Sequence, residues 1–479
     1  MPVAIPPGDI TARWSGTELA AEVLDDLRAA GVPLVVDDAT RQDHGRDWWP
    51  LSIGWLTRGE LPSLPGVVVR PTSLAEVVAT VTIAHRHNIA LTPQGGRSSV
   101  VGGAVPPTGA IALDLTGLHR VTAVDEVSGT VTVEAGCFGP DLESALAPYN
   151  LTVGHFPQSF ELATVGGWLA CRGAGQYSNR YGKIEDIVRG VTVVLADGRV
   201  VTTGGRGPRQ AVGPDLTQLF VGSEGVFGVI VAATLVARRR SAFEMRTAVS
   251  FDSFAEGLSA CRRILQRGAH PAVLRLYDAT ESQRSFSIDR CVLVVLDEGD
   301  PALVRATMSI VSDECASAYP HPEDVVATWL AHRNDVGALA PLWARNIVVD
   351  TIEVAGPWSV LDELHDAVTA ALRSLEPTVL ASVHQSHAYD DGACLYFTFV
   401  GRPDGDPDSY YRAAWDVASA AVLAAGGALS HHHGVGHNRA RFVPAALGSG
   451  FELLIQLKEM LDPLHILNPG VLGVGGEPW

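Results

Sequence analysis

The chain has 479 residues, 47% hydrophobic and 18% charged, enough to bury a large core and divide into two or three domains. Its net charge of −18 argues against nucleic acid or an anionic membrane as a partner, because both need a basic face. The six cysteines lie far apart with no CxxC pair, which excludes a simple disulfide framework and points to reduced thiols in a cytoplasmic protein.

Met1-Pro2-Val3-Ala4-Ile5-Pro6-Pro7 lacks the basic region and apolar core of a signal peptide, and Glu477-Pro478-Trp479 is not a peroxisomal address. No window is apolar for long enough to predict a membrane span. Residues 16–31 read as a short amphipathic helix with Leu19, Val23, Leu24 and Leu27 on one face and Gly31 ending it. Val67-Val68-Val69 predicts a strand stopped at Pro71. Thr72-Ser73-Leu74-Ala75-Glu76 then has the form of a helix start, with helical spacing to about Asn88. A strand over Ile89–Thr92 precedes a glycine loop, and strands follow at Ile111–Leu115 and Val131–Ala135. Asp197-Gly198 predicts a hairpin between Val191–Ala196 and Arg199–Thr203. Arg238-Arg239-Arg240 reads as a solvated linker. Beyond it, helices are expected near 251–267, 301–314, 359–374 and 450–461, with strands at Ala272–Tyr277, Cys291–Leu296 and Leu395–Val400. Strands with helices laid against them, without regular β-α alternation, predict an α+β protein.

Four loops suit ligand chemistry. Thr92-Pro93-Gln94-Gly95-Gly96-Arg97-Ser98-Ser99-Val100-Val101-Gly102-Gly103 follows a strand, and its glycines allow close approach and an amide nest for an anion such as pyrophosphate. It is neither a Walker loop nor a Rossmann fingerprint. Thr164-Val165-Gly166-Gly167-Trp168 places two glycines at a helix start. Phe220–Ile230 is glycine-rich and leads into a strand, and Leu461–Gly470 is a turn-rich close. Each alone also reads as an ordinary turn. The run Ser430-His431-His432-His433-Gly434-Val435-Gly436-His437-Asn438-Arg439 is the most distinctive feature. Adjacent imidazoles can move protons near neutral pH, the alternatives being a solvated tract or a metal-binding loop.

In this order these segments resemble the FAD-binding flavoenzymes of the vanillyl-alcohol-oxidase (PCMH) type, and among them the alkyldihydroxyacetonephosphate synthases and their bacterial FAD-linked oxidase relatives. The likeness spans roughly residues 60–473 and is most specific at Tyr389–Phe397 and the His-His-His-Gly-Val-Gly run. It implies a two-domain α+β flavoenzyme: an N-terminal helical segment over 1–60, a FAD-binding domain of two α+β subdomains over 61–240, and a substrate or cap domain over 241–430 with a helix-covered sheet. An active-site segment over 431–479 would return to the first domain.

The resemblance implies that Pro93, Gly95, Gly96, Arg97, Ser98, Ser99 and Val100 hold the FAD pyrophosphate. Pro157, Ser159, Thr164, Gly166 and Gly167 would lie near the flavin, and Glu224, Gly225, Ile230 and Asn468 would complete the cofactor site. Tyr396, His432 and His433 match the family's catalytic tyrosine and histidines, Arg275 an arginine near the active site, and Arg439 the basic residue after the His run. On residue type alone, Tyr396 also suits core packing and Arg275 a structural salt bridge. His384 stands where the eukaryotic synthases have arginine, and only Arg333 and Arg345 lie near the place of a second substrate arginine.

The cofactor expected is non-covalent FAD, since the Gly95–Val100 loop has no histidine for covalent attachment. No metal is assigned. The expected activity is oxidation of a small alcohol or hydroxy acid at flavin N5, with His432 as base and an electron acceptor left open. The alternative is ether-lipid synthesis through a flavin N5 adduct without net redox. The partner is a small molecule, and a homodimer is left open.

Overall fold

The computed structural model describes Ile5 and residues 10–205, 207–334 and 339–476; the readings of the N-terminal heptad (apart from Ile5) and of Glu477-Pro478-Trp479 lie outside them. Three valines in a row, Val67–Val69, form a strand buried on both faces. Ser73 starts the next helix, Leu74–His87, its hydroxyl accepting the Glu76 amide at 3.3 Å. Asn88 ends it in the left-handed conformation, φ 52°. The following strand is Leu91–Gln94, two residues later than the sequence predicts, because the Ile89 amide still bonds back to the Ala84 carbonyl at 2.9 Å. Leu34–Val35, Val67–Val69, Ile111–Asp114 and Leu91–Gln94 lie side by side in that order, the last three parallel. The predicted first helix covers Ala21–Ala29 and buries Val23 and Leu27.

A second, antiparallel sheet runs Val200–Thr202, Val188–Val194, Val229–Val236, Thr130–Glu134, Val121–Asp125. Gly198 makes the tight turn of its predicted hairpin at φ 84°. Arg238-Arg239-Arg240 is partly exposed, as expected, but it contains a paired strand and is not a free linker. Arg238–Arg239 pairs with Leu151–Thr152, Arg238 lies 5.4 Å over the Tyr181 ring, and Arg240 meets Glu143 at 3.0 Å. The three-arginine run looked like a linker because sequence could not show these non-local partners.

The third sheet has seven strands, ordered Tyr319–His321, Glu244–Phe251, Cys291–Glu298, Val273–Tyr277, Thr378–Ala388, Gly392–Gly401, Val348–Pro357. Helices Phe254–Gln266, Pro301–Glu314, Leu361–Arg373 and Pro407–Ala424 share one core with its inward residues Leu274, Leu276, Leu395, Phe397 and Phe399. Each such apolar side chain contributes about 1.5–3 kcal/mol on burial. Period-two alternation turns Arg275, Tyr277 and Tyr396 to the other face, toward the first two sheets. No helix among the described residues is long and apolar enough to cross a membrane.

The N-terminal segment packs on this third layer. The helix Pro50–Leu56 is buried along its whole length, and Trp49, Leu51 and Trp55 enter the same core as the sheet's inward face. Trp55 Nε1 donates to Asp408 at 2.7 Å, and Trp49 Nε1 to the Tyr411 hydroxyl at 2.9 Å. Trp55→Ala should therefore lower stability by about 3–5 kcal/mol. Trp55→Phe keeps most of the packing and should cost about 1–3 kcal/mol, since Asp408 retains Arg58 at 2.7 Å. Urea unfolding followed by far-ultraviolet circular dichroism reads both; equal losses would place the stabilisation in the hydrogen bond alone.

Candidate functional site

A cavity of about 930 Å³ opens between the first two sheets and the third. Its near wall is the loop after Leu91–Gln94, and Pro93, Gly95, Gly96, Arg97, Ser98, Ser99 and Val100 all line it. The amides of Gly96, Arg97 and Ser98 find no acceptor among the described residues, and Arg97 has φ 53°. Free amides on a left-handed turn make an anion nest. A Cβ on Gly96 would sit 1.7 Å from the Leu162 carbonyl oxygen, so only glycine lets this loop lie so close to its neighbour. Thr164 caps the short helix Val165–Ala170. Pro157, Ser159, Thr164, Gly166, Gly167, Glu224, Gly225 and Ile230 complete this half of the lining. A long cleft with a glycine cradle and orphaned amides at one end fits a dinucleotide pyrophosphate.

The far wall is set by strand register. Glu353 pairs with Tyr396, Tyr396 with His384, and His384 with Tyr277, so four side chains stand in a row across four strands. The Thr351 hydroxyl donates to the Tyr396 oxygen at 3.1 Å, leaving the Tyr396 O–H free to donate. Burial raises the Tyr396 phenol well above its ordinary value, so it is a donor and not a base. Arg275 lines the cavity. Its Nη2 donates to His384 Nε2 at 2.9 Å, and His384 Nδ1 donates to Glu281 at 2.8 Å. Burial lowers the His384 pKa; it would raise that of Glu281, but the hydrogen bond from His384, the Arg284 charge and the bond from Thr398 hold the carboxyl below its ordinary value. Arg275 has no carboxylate partner among the described residues, and its Nε is buried without an acceptor.

The His run closes the cavity, with His432 and His433 lining it. Its backbone wraps the Glu353 carboxylate, which is fully buried. Glu353 accepts from the Ser430 hydroxyl at 2.8 Å, from the amides of His431 and His433 (the latter at 2.9 Å), and from Arg439 Nη1 at 3.0 Å. Burial alone would raise this carboxyl; Arg439 and the His431 amide outweigh it and hold it at about 2. The Glu224 carboxylate accepts the Val435 and Gly436 amides at 2.6 and 2.8 Å, yet burial still pushes it up to about 7. Gly436 is required at φ 52°, where a Cβ would lie 2.2 Å from the Val101 carbonyl. Burial drives the His431 and His433 rings down to about 3 and 4, and His432 well below its ordinary range.

Two expected site residues lie outside the cavity lining. Arg439 is 1% exposed behind the His run; it donates to the Leu429 carbonyl at 2.7 Å and stacks 4.9 Å over Trp415. It acts through Glu353. Asn468 is a clasp whose amide donates to the carbonyls of Gly103 at 3.0 Å and Glu224 at 2.7 Å, tying two cofactor-side loops together. The sequence reading missed Glu353 and Glu281 as site residues. Glu353 carried a signal: a carboxylate set between Ile352 and Val354 in a largely apolar strand. Glu281 carried none, since the Ser382, His384 and Thr398 side chains that bond its carboxylate are over 100 residues away.

Residues 65–204 match the family described as FAD binding domain, and residues 241–472 the C-terminal domain of FAD linked oxidases. The FAD-linked oxidoreductase YgcU of Escherichia coli strain K12 is 30% identical over 85% of this chain and 89% of its own length. The alkyldihydroxyacetonephosphate synthase of Trypanosoma brucei brucei is 29% identical over 89% of this chain and 75% of its own. A solved alkyldihydroxyacetonephosphate synthase superposes with a TM-score of 0.78 at 25% identity, covering 98% of this chain and 90% of that one.

Glu353 supplies a pH test. Its folded value near 2 lies below the ordinary 4.5, so its stabilisation is complete above pH 4.5 and is lost as pH falls toward 2. Glu353→Gln should be less stable than the parent at neutral pH, with the gap narrowing by about 1.4 kcal/mol on going to about pH 3.5. Urea unfolding at both pH values checks this; a gap independent of pH would show that the carboxylate does not gain from its partners.

Proposed function

This chain belongs to the FAD-linked oxidases, with FAD as its cofactor, and from that premise we propose that it oxidises an alcohol or hydroxy acid bearing an anionic group. The observation that carries the reading is Arg275, a cavity-lining guanidinium with a buried, unpartnered Nε and no carboxylate of its own among the described residues. A half-buried cation with an orphaned Nε and no counter-ion is unfavourable, and a substrate carboxylate or phosphate would meet that need. Arg284 and Arg333 line the same region. Trp329 and Tyr277 flank Arg275 at 5.6 and 5.9 Å from its guanidinium.

The Gly95–Val100 loop and the Thr164 and Glu224 segments would hold FAD, which accepts the electron pair when bound. The chain's own residues manage substrate and protons. Arg275, braced by the neutral His384, holds the anionic end. Tyr396 donates to the reacting oxygen. His432, kept neutral by burial, takes the hydroxyl proton through Nε2, because Nδ1 is occupied by His431 at 3.0 Å. His433 and Glu353 fix the loop that presents His432.

A second reading, alkyl transfer to form an ether without net redox, is supported by the 29% identity to the trypanosome synthase and by the apolar Phe286, Leu339 and Val349 along the cavity, which suit an acyl chain.

Anaerobic titration of the holoenzyme, followed in the visible spectrum, separates the two. Lasting loss of the oxidised-flavin band on adding D-lactate, glycolate or glycerol 3-phosphate supports oxidation. Loss only with palmitoyl-dihydroxyacetone phosphate, reversed by hexadecanol, overturns it in favour of the ether synthase. Arg275→Lys should raise KM for the reacting probe by about 10–100-fold with a smaller change in kcat, since a lysine cannot reproduce the planar fork. Acid precipitation should release all flavin into the supernatant; yellow pellets would contradict non-covalent binding.

A further inference from the structure

Four hydrogen bonds leave the cavity at His432 and return to it at another imidazole. His432 Nδ1 meets His431 Nδ1 at 3.0 Å, and His431 Nε2 meets the Tyr389 hydroxyl at 3.0 Å. The Tyr389 hydroxyl meets Ser178 Oγ at 3.4 Å, and Ser178 Oγ meets His387 Nδ1 at 2.7 Å. His432 and His387 line the cavity; His431, Tyr389 and Ser178 do not. We propose that His431, Tyr389 and Ser178 form a proton relay that couples His432, the base, to His387, an acid on the same cavity. This rests on the reading of His432 as the base.

The polarity of the chain is self-consistent. With the His432 Nε2 lone pair facing the substrate, its Nδ1–H donates to His431 Nδ1. His431 Nε2–H then donates to Tyr389, Tyr389 O–H to Ser178, and Ser178 O–H to His387 Nδ1. His387 is left with Nε2–H toward the cavity. When His432 Nε2 takes a proton from a substrate hydroxyl, each hydrogen-bonded proton moves one place along. His387 Nε2 then gives its proton to an oxygen acceptor in the cavity, water or a substrate oxygen. One proton enters, one leaves, and every ring ends as its other neutral tautomer.

The surroundings favour such a transfer. His387 and His431 are buried and His432 is half-buried; burial lowers all three rings, and the neighbouring histidines make a positive charge on His387 and His432 costlier still. A base that cannot hold an imidazolium must pass its proton on in the same event. The rings are packed for it: His387 lies 5.1 Å from His431 and 5.0 Å from His432, and His431 stacks on Tyr389 at 5.6 Å. Nitrogens of His387, His431 and His432 also come within 4.8 Å of one another, which an ion could exploit. The bonds to Ser178, Tyr389 and between the rings already use four of those six nitrogens.

The test uses perdeuterated holoenzyme with 15N-labelled histidine and a long-range proton–nitrogen correlation spectrum, which reports each ring's tautomer without any substrate. The expected set is Nδ1–H on His432 and Nε2–H on His431 and His387, or the complete reverse set. Tyr389→Phe and Ser178→Ala should each leave FAD content unchanged and turn the fixed His387 tautomer into a mixture. A mixed polarity in the parent enzyme, or tautomers indifferent to both variants, would overturn the relay. So would a stoichiometric metal ion on these rings, found by elemental analysis.

With D-lactate or whichever probe reduces the flavin, both variants should slow anaerobic reduction by about 10²-fold. The proton inventory in mixed H2O and D2O should change from curved in the parent to linear in the variants. A linear parent inventory would overturn the relay. Absence of reduction by every probe would instead overturn the proposed oxidation, while the tautomer spectrum still decides the relay.

Discussion

The buried carboxylate of Glu353 is the constraint on which the site depends. A carboxylate removed from water costs several kcal/mol unless each oxygen is bonded and its charge is met. Here the partners are the Ser430 hydroxyl, the amides of His431 and His433, and Arg439. Satisfying Glu353 therefore fixes the backbone of the His run residue by residue. Two amides converging on one carboxylate leave the intervening His432 side chain to point elsewhere, and it points into the cavity. Glu224 repeats the device one turn later, binding the Val435 and Gly436 amides. The two carboxylates belong to different sheets' neighbourhoods, so the His run is a strap tied at both ends, one to each wall of the cavity.

The other half of the geometry comes from register. Glu353, Tyr396, His384 and Tyr277 are neighbours because three antiparallel pairings align them. A slip of one residue would send the whole row into the apolar core beneath the helices. Core residues such as Leu395 and Phe397 prevent that, since the same slip would bring them to the polar cavity. Packing on one face thus specifies chemistry on the other. The irregularity between Gln385 and His387 then sets His387 opposite Cys394 instead of continuing the alternation. It stands against His431 and His432, away from Arg275's partner His384.

Much of this was legible in the sequence, for identifiable reasons. The valine strand, the Ser73-capped helix and the Asp197-Gly198 hairpin rest on local rules, and they stand where those rules place them. The glycine loops were readable as places of close backbone approach; at Gly96 and Gly436 the neighbour a Cβ would strike is another loop of this chain. What could not be read was set by distant partners. Arg238-Arg239-Arg240 looked like a linker because Tyr181 and Glu143 are far away in the chain. Trp49 and Trp55 gave no hint that they would enter the core of the third sheet. Arg439 read as a site residue by its place after the histidines, yet its charge is spent on Glu353.

The charges around the cavity bear on the proposed substrate. Glu353 is matched by Arg439. Glu281 is matched by its bond from His384 and by Arg284 at 3.6 Å. The histidines are neutral through burial, and Tyr396 keeps its proton. Arg275 also lines the cavity and has no carboxylate partner among the described residues, in a chain whose net charge is −18. That net charge repels anions at long range, but at physiological salt it is screened within about 8 Å. It therefore costs encounter rate more than affinity. Inside the cavity, a cation with an orphaned Nε outweighs the distant field because the interaction is short and poorly screened. On the proposed reading, selectivity for an anionic substrate would be a property of the cavity wall and not of the protein surface. It depends on His384 staying neutral, since a charged ring at 2.9 Å would repel the guanidinium it now braces.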